Sequence, residues 1–252
     1  MLQDMLDDIC AEIAAVAWDE ALPDFARQLM LMKPALARGL FEVASDEQVS
    51  WASDRLAEGY LALIKDIPWY VNALSGAAKD PHMEGGYRAA ILGSLAYLVQ
   101  PRDLIPDDLP GGFGFIDDCL LLHVTTAECM AYLPRDTSTE KREVLLANTL
   151  ALTVPDQRMD VFREAAEGIR HLIFHIDLMD PEQIEQTIEA LQANPLEDGP
   201  ATDPANFRTS SAPAGPNYFC PLKESSVAED GRITFEFEEG SVAMFGSDIE
   251  VE

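Results

Sequence analysis

LVQPRDLIPDDLPGGFGFIDDCLLLHV, residues 98–124, decides how the chain is read. Five aspartates, Asp103, Asp107, Asp108, Asp117 and Asp118, lie between two strongly apolar segments. Carboxylates placed there either bind something or fasten a turn, and the residues around them favour the turn. Pro101 removes an amide donor and ends the preceding helix. Pro106 and Pro110 stiffen the connection. Asp117 or Asp118 opens the next helix by accepting its free N–H groups and opposing its dipole. Asp103 and Asp107 close Asx turns onto nearby amides, with Arg88 or Arg102 as a neutralising cation. The stretch predicts an α-hairpin between two buried helices.

Outward from the hairpin, the spacing is helical in both directions. Tyr87, Ile91, Leu95, Leu98 and Val99 recur at helical intervals before the turn, with small uncharged residues opposite, so that helix is buried on most sides. Upstream, helices are predicted over 2–20, after Pro23 with a kink near Pro34, from a Ser45/Gln48 capping box to about Lys65, and from Pro68. Downstream, they are predicted over 116–133, from a Thr137/Glu140 capping box, from Pro155 to about Met179, and from Pro181 to about Asn194. No strand pattern precedes residue 230. The fold class is an all-α multi-helix bundle over 1–194 with the hairpin at its centre.

Residues 195–231 have linker composition, rich in Pro, Ser and acids and without apolar periodicity, and are expected to be disordered. In 232–252 the pattern changes. Ile233, Phe235 and Phe237 alternate with Thr234, Glu236 and Glu238, as in a strand. Glu239-Gly240 turns it back onto Val242 and Met244.

The charge excludes several function classes. The 252 residues hold 45 acids and 17 bases, a net charge of −28. Such a surface repels phosphate backbones and anionic lipid headgroups, so nucleic acid is not an expected partner. Cys10, Cys119, Cys129 and Cys220 show no Cys-x-x-Cys spacing, which argues against a zinc knuckle or redox pair. The start, MLQDMLDDICAEIAAVAW, carries early acids and no basic region, so no secretory signal is expected. The longest uncharged run near the turn, 89–101, is shorter than the ~20 residues of a membrane span. A cytoplasmic protein without integral membrane insertion is expected.

Residues 97–118, YLVQPRDLIPDDLPGGFGFIDD, resemble the YkvA-like family of bacterial helical domains of unknown function. Pro101, Asp103, Leu104, Ile105, Pro106, Asp107, Pro110, Gly114, Asp117 and Asp118 match its pattern, and the likeness covers about residues 85–125. Gln100 replaces a small residue, and Gly111-Gly112 reads as slack in the turn. The resemblance implies an α-hairpin and no established activity.

Asp103, Asp107, Asp117 and Asp118, with His123 nearby, are the candidates for a divalent cation, since hard cations take carboxylate oxygens. Their spacing is not that of an EF-hand loop. His171 and His175, four apart with Glu167, lack the Glu of a His-Glu-x-x-His site and flank an apolar stripe. No phosphate loop or nucleophile elbow is present. The leading expectation is a non-enzymatic interaction or adaptor protein without a cofactor. Its tail would present Ile233, Phe235 and Phe237 to a protein partner by strand addition, or dock them on the helices. The alternatives are a metal-dependent or metal-binding protein using the Asp-rich turn, and a membrane-peripheral scaffold.

Overall fold

A computed structural model describes residues 1–32, 46–100, 105, 109–133, 140–154, 158–175, 181–193, 215–228, 232–245 and 249–251. The helices are α1 (Leu2–Ala15), α2 (Trp18–Met32), α3 (Asp46–Lys65), α4 (Ile67–Ala77), α5 (Gly85–Tyr97), α6 (Ile116–Glu128), α7 (Glu140–Ala151), α8 (Met159–His175) and α9 (Pro181–Ala193). A 3-10 turn, Pro110–Phe115, leads into α6, and another, Met130–Tyr132, follows it. The strands are β1 (Leu222–Val227), β2 (Ile233–Phe237), β3 (Val242–Phe245) and β4 (Ile249–Val251), in one antiparallel sheet of order β1-β2-β3-β4.

The centre of the core is α6. Every residue from Ile116 to Ala127 is buried, and α3, α4, α5, α7 and α8 pack around it. A helix covered on all sides has no solvent face to reserve for polar residues, so its apolar residues are not confined to one stripe and its Asp117, Asp118, His123, Thr125 and Thr126 are buried with them. It is tied to α5 by a hydrogen bond between the Ser94 and Thr125 hydroxyls at 2.5 Å. The hairpin read from the sequence is therefore the middle of the molecule.

Two helix boundaries differ from expectation. The first helix stops at Ala15, where Val16 turns extended (φ −64°, ψ 128°). The second begins at Trp18, so Pro23 lies inside it and not at its start. The Ala17 carbonyl accepts the amides of both Glu20 and Ala21, and Asp19 and Glu20 favour the positive end of the helix. Those first-turn contacts outweigh the one hydrogen bond that Pro23 removes. The expected kink at Pro34 and the expected caps Ser45 and Thr137 lie outside the described residues.

The C-terminal region departs most from expectation. The β2–β3 hairpin forms as the alternation predicted, with Gly240 at φ +86° in its turn. Residues 215–228, assigned to a disordered linker, instead pack on the helices and supply β1. Tyr218 and Cys220 are buried. The Tyr218 hydroxyl donates to Glu128 Oε1 at 2.7 Å, beside the Arg170–Glu128 ion pair at 2.9 Å. Arg170 also donates to the Pro216 carbonyl, and Asn148 Oδ1 accepts the Cys220 amide at 2.8 Å. A buried acid that needs donors and two buried side chains anchor this stretch despite its loop-like composition. Ile233, Phe235 and Phe237 are fully buried, and the sheet lies against α3 and α7.

Candidate functional site

Asp117 shows what the turn does with its acids. It stands in the first turn of α6, with Phe115 as the N-cap and no side-chain cap bond. Asp117 Oδ2 accepts the Tyr97 hydroxyl at 2.8 Å and the Ile105 amide at 3.0 Å. One carboxylate thus joins the end of α5, the connection and the start of α6. In a buried setting, an amide and a phenol without water need an acceptor more than a helix N–H near solvent does. Asp118 is also buried, 2% exposed. Asp103 and Asp107 lie outside the described residues, as does Arg102. Arg88 donates to the carbonyls of Asp80 and Met83.

Gly111 and Gly112 have φ of +76° and +78°. The pair does not loosen the turn. A Cβ on Gly111 would stand 2.5 Å from the Phe25 amide nitrogen and 2.8 Å from the Ala21 carbonyl oxygen. The turn is pressed directly onto the backbone of α2.

Residues 88–124 match the family model described as a protein of unknown function, DUF1232. The match runs from the first turn of α5 through the connection to the middle of α6, and the YkvA-like resemblance agrees with it. No curated protein and no solved structure matches the chain.

Within the DUF1232 segment, His123 is buried as well. It does not join Asp117. Six helical residues separate the two by about 9 Å along the axis and about 120° around it. His123 Nδ1 instead lies 2.5 Å from Glu143 Oε2, and both side chains are wholly buried. Glu143 comes from α7. The Tyr70 hydroxyl of α4 donates to the same carboxylate at 3.2 Å, and Arg142 approaches it at 3.3 Å. Tyr70 also meets the His123 ring edge-on at 4.7 Å. Burial, then the Glu143 charge, raises the Tyr70 phenol above its usual range, so it stays a neutral donor. His123 Nε2 has no partner among the described residues.

Cys119 is one turn before His123 on α6, which invites comparison with a Cys-His-Glu nucleophile. The electrostatics oppose it. Burial, then the Asp118 charge, raises the Cys119 thiol well above its ordinary value, and a thiol is a poor nucleophile. Asp66, at the solvent edge of the cluster, is also raised, mainly by burial. The arrangement holds a proton donor, an acid and an imidazole in fixed geometry, sealed from substrate.

The described residues hold no group of three or more His, Cys, Asp or Glu able to bind a metal. No helix among them is long and apolar enough to cross a membrane. The side chains of His171 and His175 are outside the described residues. Glu143 is not among the candidates that the sequence pattern offers. EDTA is expected to leave the melting temperature unchanged. Asp117→Asn should cost about 1–2 kcal/mol, a few degrees for a chain of this size, with or without chelator. A saturable rise with magnesium, manganese or calcium that this variant loses would give the turn to a metal.

Proposed function

We propose that this chain is a non-catalytic helical protein that binds a cationic surface of another protein. The supporting observation is an acidic face on two adjoining helices. Asp4, Asp7, Asp8 and Glu12 of α1 are exposed, as are Glu182, Glu185 and Glu189 of α9. The two helices pack together, and neither contains Lys or Arg. Such a face steers a basic partner and repels nucleic acid. The sealed His123–Glu143 cluster supports the non-catalytic side of the reading. The aromatic strand does not offer Ile233, Phe235 and Phe237 to a partner, because all three are buried in a sheet that lies against the chain's own helices.

A Lys-rich peptide tests the face. Its affinity should fall steeply with salt as the screening length shrinks from about 30 Å at 0.01 M to about 8 Å at 0.15 M. Neutralising Asp8, Glu12, Glu185 and Glu189 together should weaken binding several-fold. Neutralising Asp19, Glu20, Asp54 and Glu58 on α2 and α3 should do much less. Equal losses from the two sets would show that net charge alone, and no particular face, is recognised.

A further inference from the structure

Among the described residues the sheet ends on one side at β1, whose strand neighbour is β2 alone. The Ala228 amide donates to the Arg232 carbonyl at 2.9 Å, in the same register as the Ser226–Thr234 pair. In an antiparallel ladder, alternate residues bond to the neighbour and those between them turn their N–H and C=O groups the other way. Ser226 and Ala228 therefore face β2, while Ser225 and Val227 aim their amides and carbonyls out of the sheet. No partner for those groups is present among the described residues. A row of unpaired backbone groups is a template for another extended chain. The bulge between Leu222 and Glu224 ends the regular ladder, so the open edge is short and side chains must add to it.

Charge says which chain fits. Ser225 and Val227 pair with the buried Phe235 and Ile233, so Glu224 and Glu236, directly opposite each other, lie on the face turned away from the helices. Like charges opposed across two strands are unfavourable. Lys223, at the bulge, hydrogen-bonds Glu236. Glu224 is exposed and has no cation partner among the described residues. A strand laid beside β1 places alternate side chains on that acidic face, where a Lys or Arg opposite Glu224 supplies the missing cation. The residues between them stand beside Ser225 and Val227, both half-buried, and suit small or β-branched side chains. A second copy of this chain fits less well, because it brings another net charge of −28.

We propose that the open edge of β1 takes up an extended basic segment of another protein, with Lys or Arg at alternate positions, as an added antiparallel strand. The backbone groups of Ser225 and Val227 supply affinity, and Glu224 supplies the charge preference. This surface is built from different elements than the face on α1 and α9 and does not depend on it.

Hydrogen exchange of the full chain, with and without the capped peptide Lys-Val-Lys-Val-Lys-Val-Lys, tests the assignment at a salt of about 0.15 M, where screening confines remote acids to about 8 Å. In the free chain Ser226 and Ala228 amides should be protected and those of Ser225 and Val227 should exchange freely. Saturating peptide should slow the latter two about tenfold or more. The same peptide with its valines N-methylated keeps the charge, loses the donors opposite Ser225 and Val227, and should bind about tenfold more weakly. Glu224→Gln should weaken binding about two- to fivefold. Ser225→Pro removes one outward amide at a position where a sheet edge accepts proline. It should melt within a few degrees of the wild type and bind about fivefold more weakly. Neutralising Asp8, Glu12, Glu185 and Glu189 should change the affinity by less than about twofold. The proposal fails if the N-methylated peptide binds as tightly, if Ser225→Pro folds and binds like the wild type, if the slowed amides lie elsewhere, or if the α1 and α9 neutralisation abolishes binding. It also fails if Ser225 and Val227 are protected in the free chain, and protection that grows with protein concentration gives the edge to a second copy.

Discussion

Glu143→Ala is expected to lower the unfolding free energy by about 3–5 kcal/mol, the cost of leaving two buried donors without their acceptor plus that of the void. The carboxylate has no solvent access, and it accepts from Tyr70 and faces His123 Nδ1. Without it, a phenol and an imidazole N–H remain buried and unmet, while Arg142, a third exposed, turns to water. The substitution also leaves a void. Urea denaturation reads the loss. A companion variant separates the value of the cluster from the cost of breaking it. Tyr70→Phe, His123→Leu and Glu143→Met together remove every member and keep the volume similar. Buried polar clusters exchanged whole for apolar packing are often neutral or stabilising. The triple variant is therefore expected to recover most of the stability. A loss under about 1 kcal/mol for Glu143→Ala would contradict the sealed geometry.

Glu143 is disguised by its neighbours in the sequence. It ends the run Glu140-Lys141-Arg142-Glu143, which reads as a solvated first turn. Yet Leu146, Ala147 and Leu150, all buried, follow it at three-, four- and seven-residue spacing. The acid lies on the apolar stripe of α7, and that position was the available signal. The partner of His123 is remote in sequence, and spacing carries no information about contacts between helices. The hairpin was legible because prolines and aspartates act locally. The β2–β3 hairpin was legible because alternation and a glycine turn are local too. Strand β1, Leu-Lys-Glu-Ser-Ser-Val, shows no such alternation, being a half-exposed edge strand stabilised by β2. The stretch Pro216–Pro221 has the composition of a linker, yet Tyr218 and Cys220 bury themselves beside Glu128 and Asn148. Composition describes what a segment offers on average. Whether a buried carboxylate waits for its tyrosine is a tertiary fact.

Gly111→Ala is expected to cost about 3 kcal/mol, more than the same change at either of the other two positive-φ glycines among the described residues, Gly112 and Gly240. Part of the cost is common to all three. A left-handed backbone with a Cβ costs about 1–2 kcal/mol. At Gly240, φ +86°, the added methyl meets nothing within 4 Å, so strain is the whole cost. At Gly112 the methyl meets the Trp18 ring at 3.2 Å, and a side chain can give by a few tenths of an ångström. At Gly111 the obstacles are the Phe25 amide nitrogen at 2.5 Å and the Ala21 carbonyl oxygen at 2.8 Å, both backbone of α2. A helix cannot rotate one peptide out of the way. Either α2 separates from the turn or the turn changes conformation, and Phe113, which packs on Phe25 at 5.3 Å, moves with it. Melting temperatures of the three alanine variants should therefore fall in the order Gly111, Gly112, Gly240, with Gly111 lowest. A Gly111 variant that melts with the Gly240 variant would mean that the turn does not rest on α2, and that the glycine pair is slack.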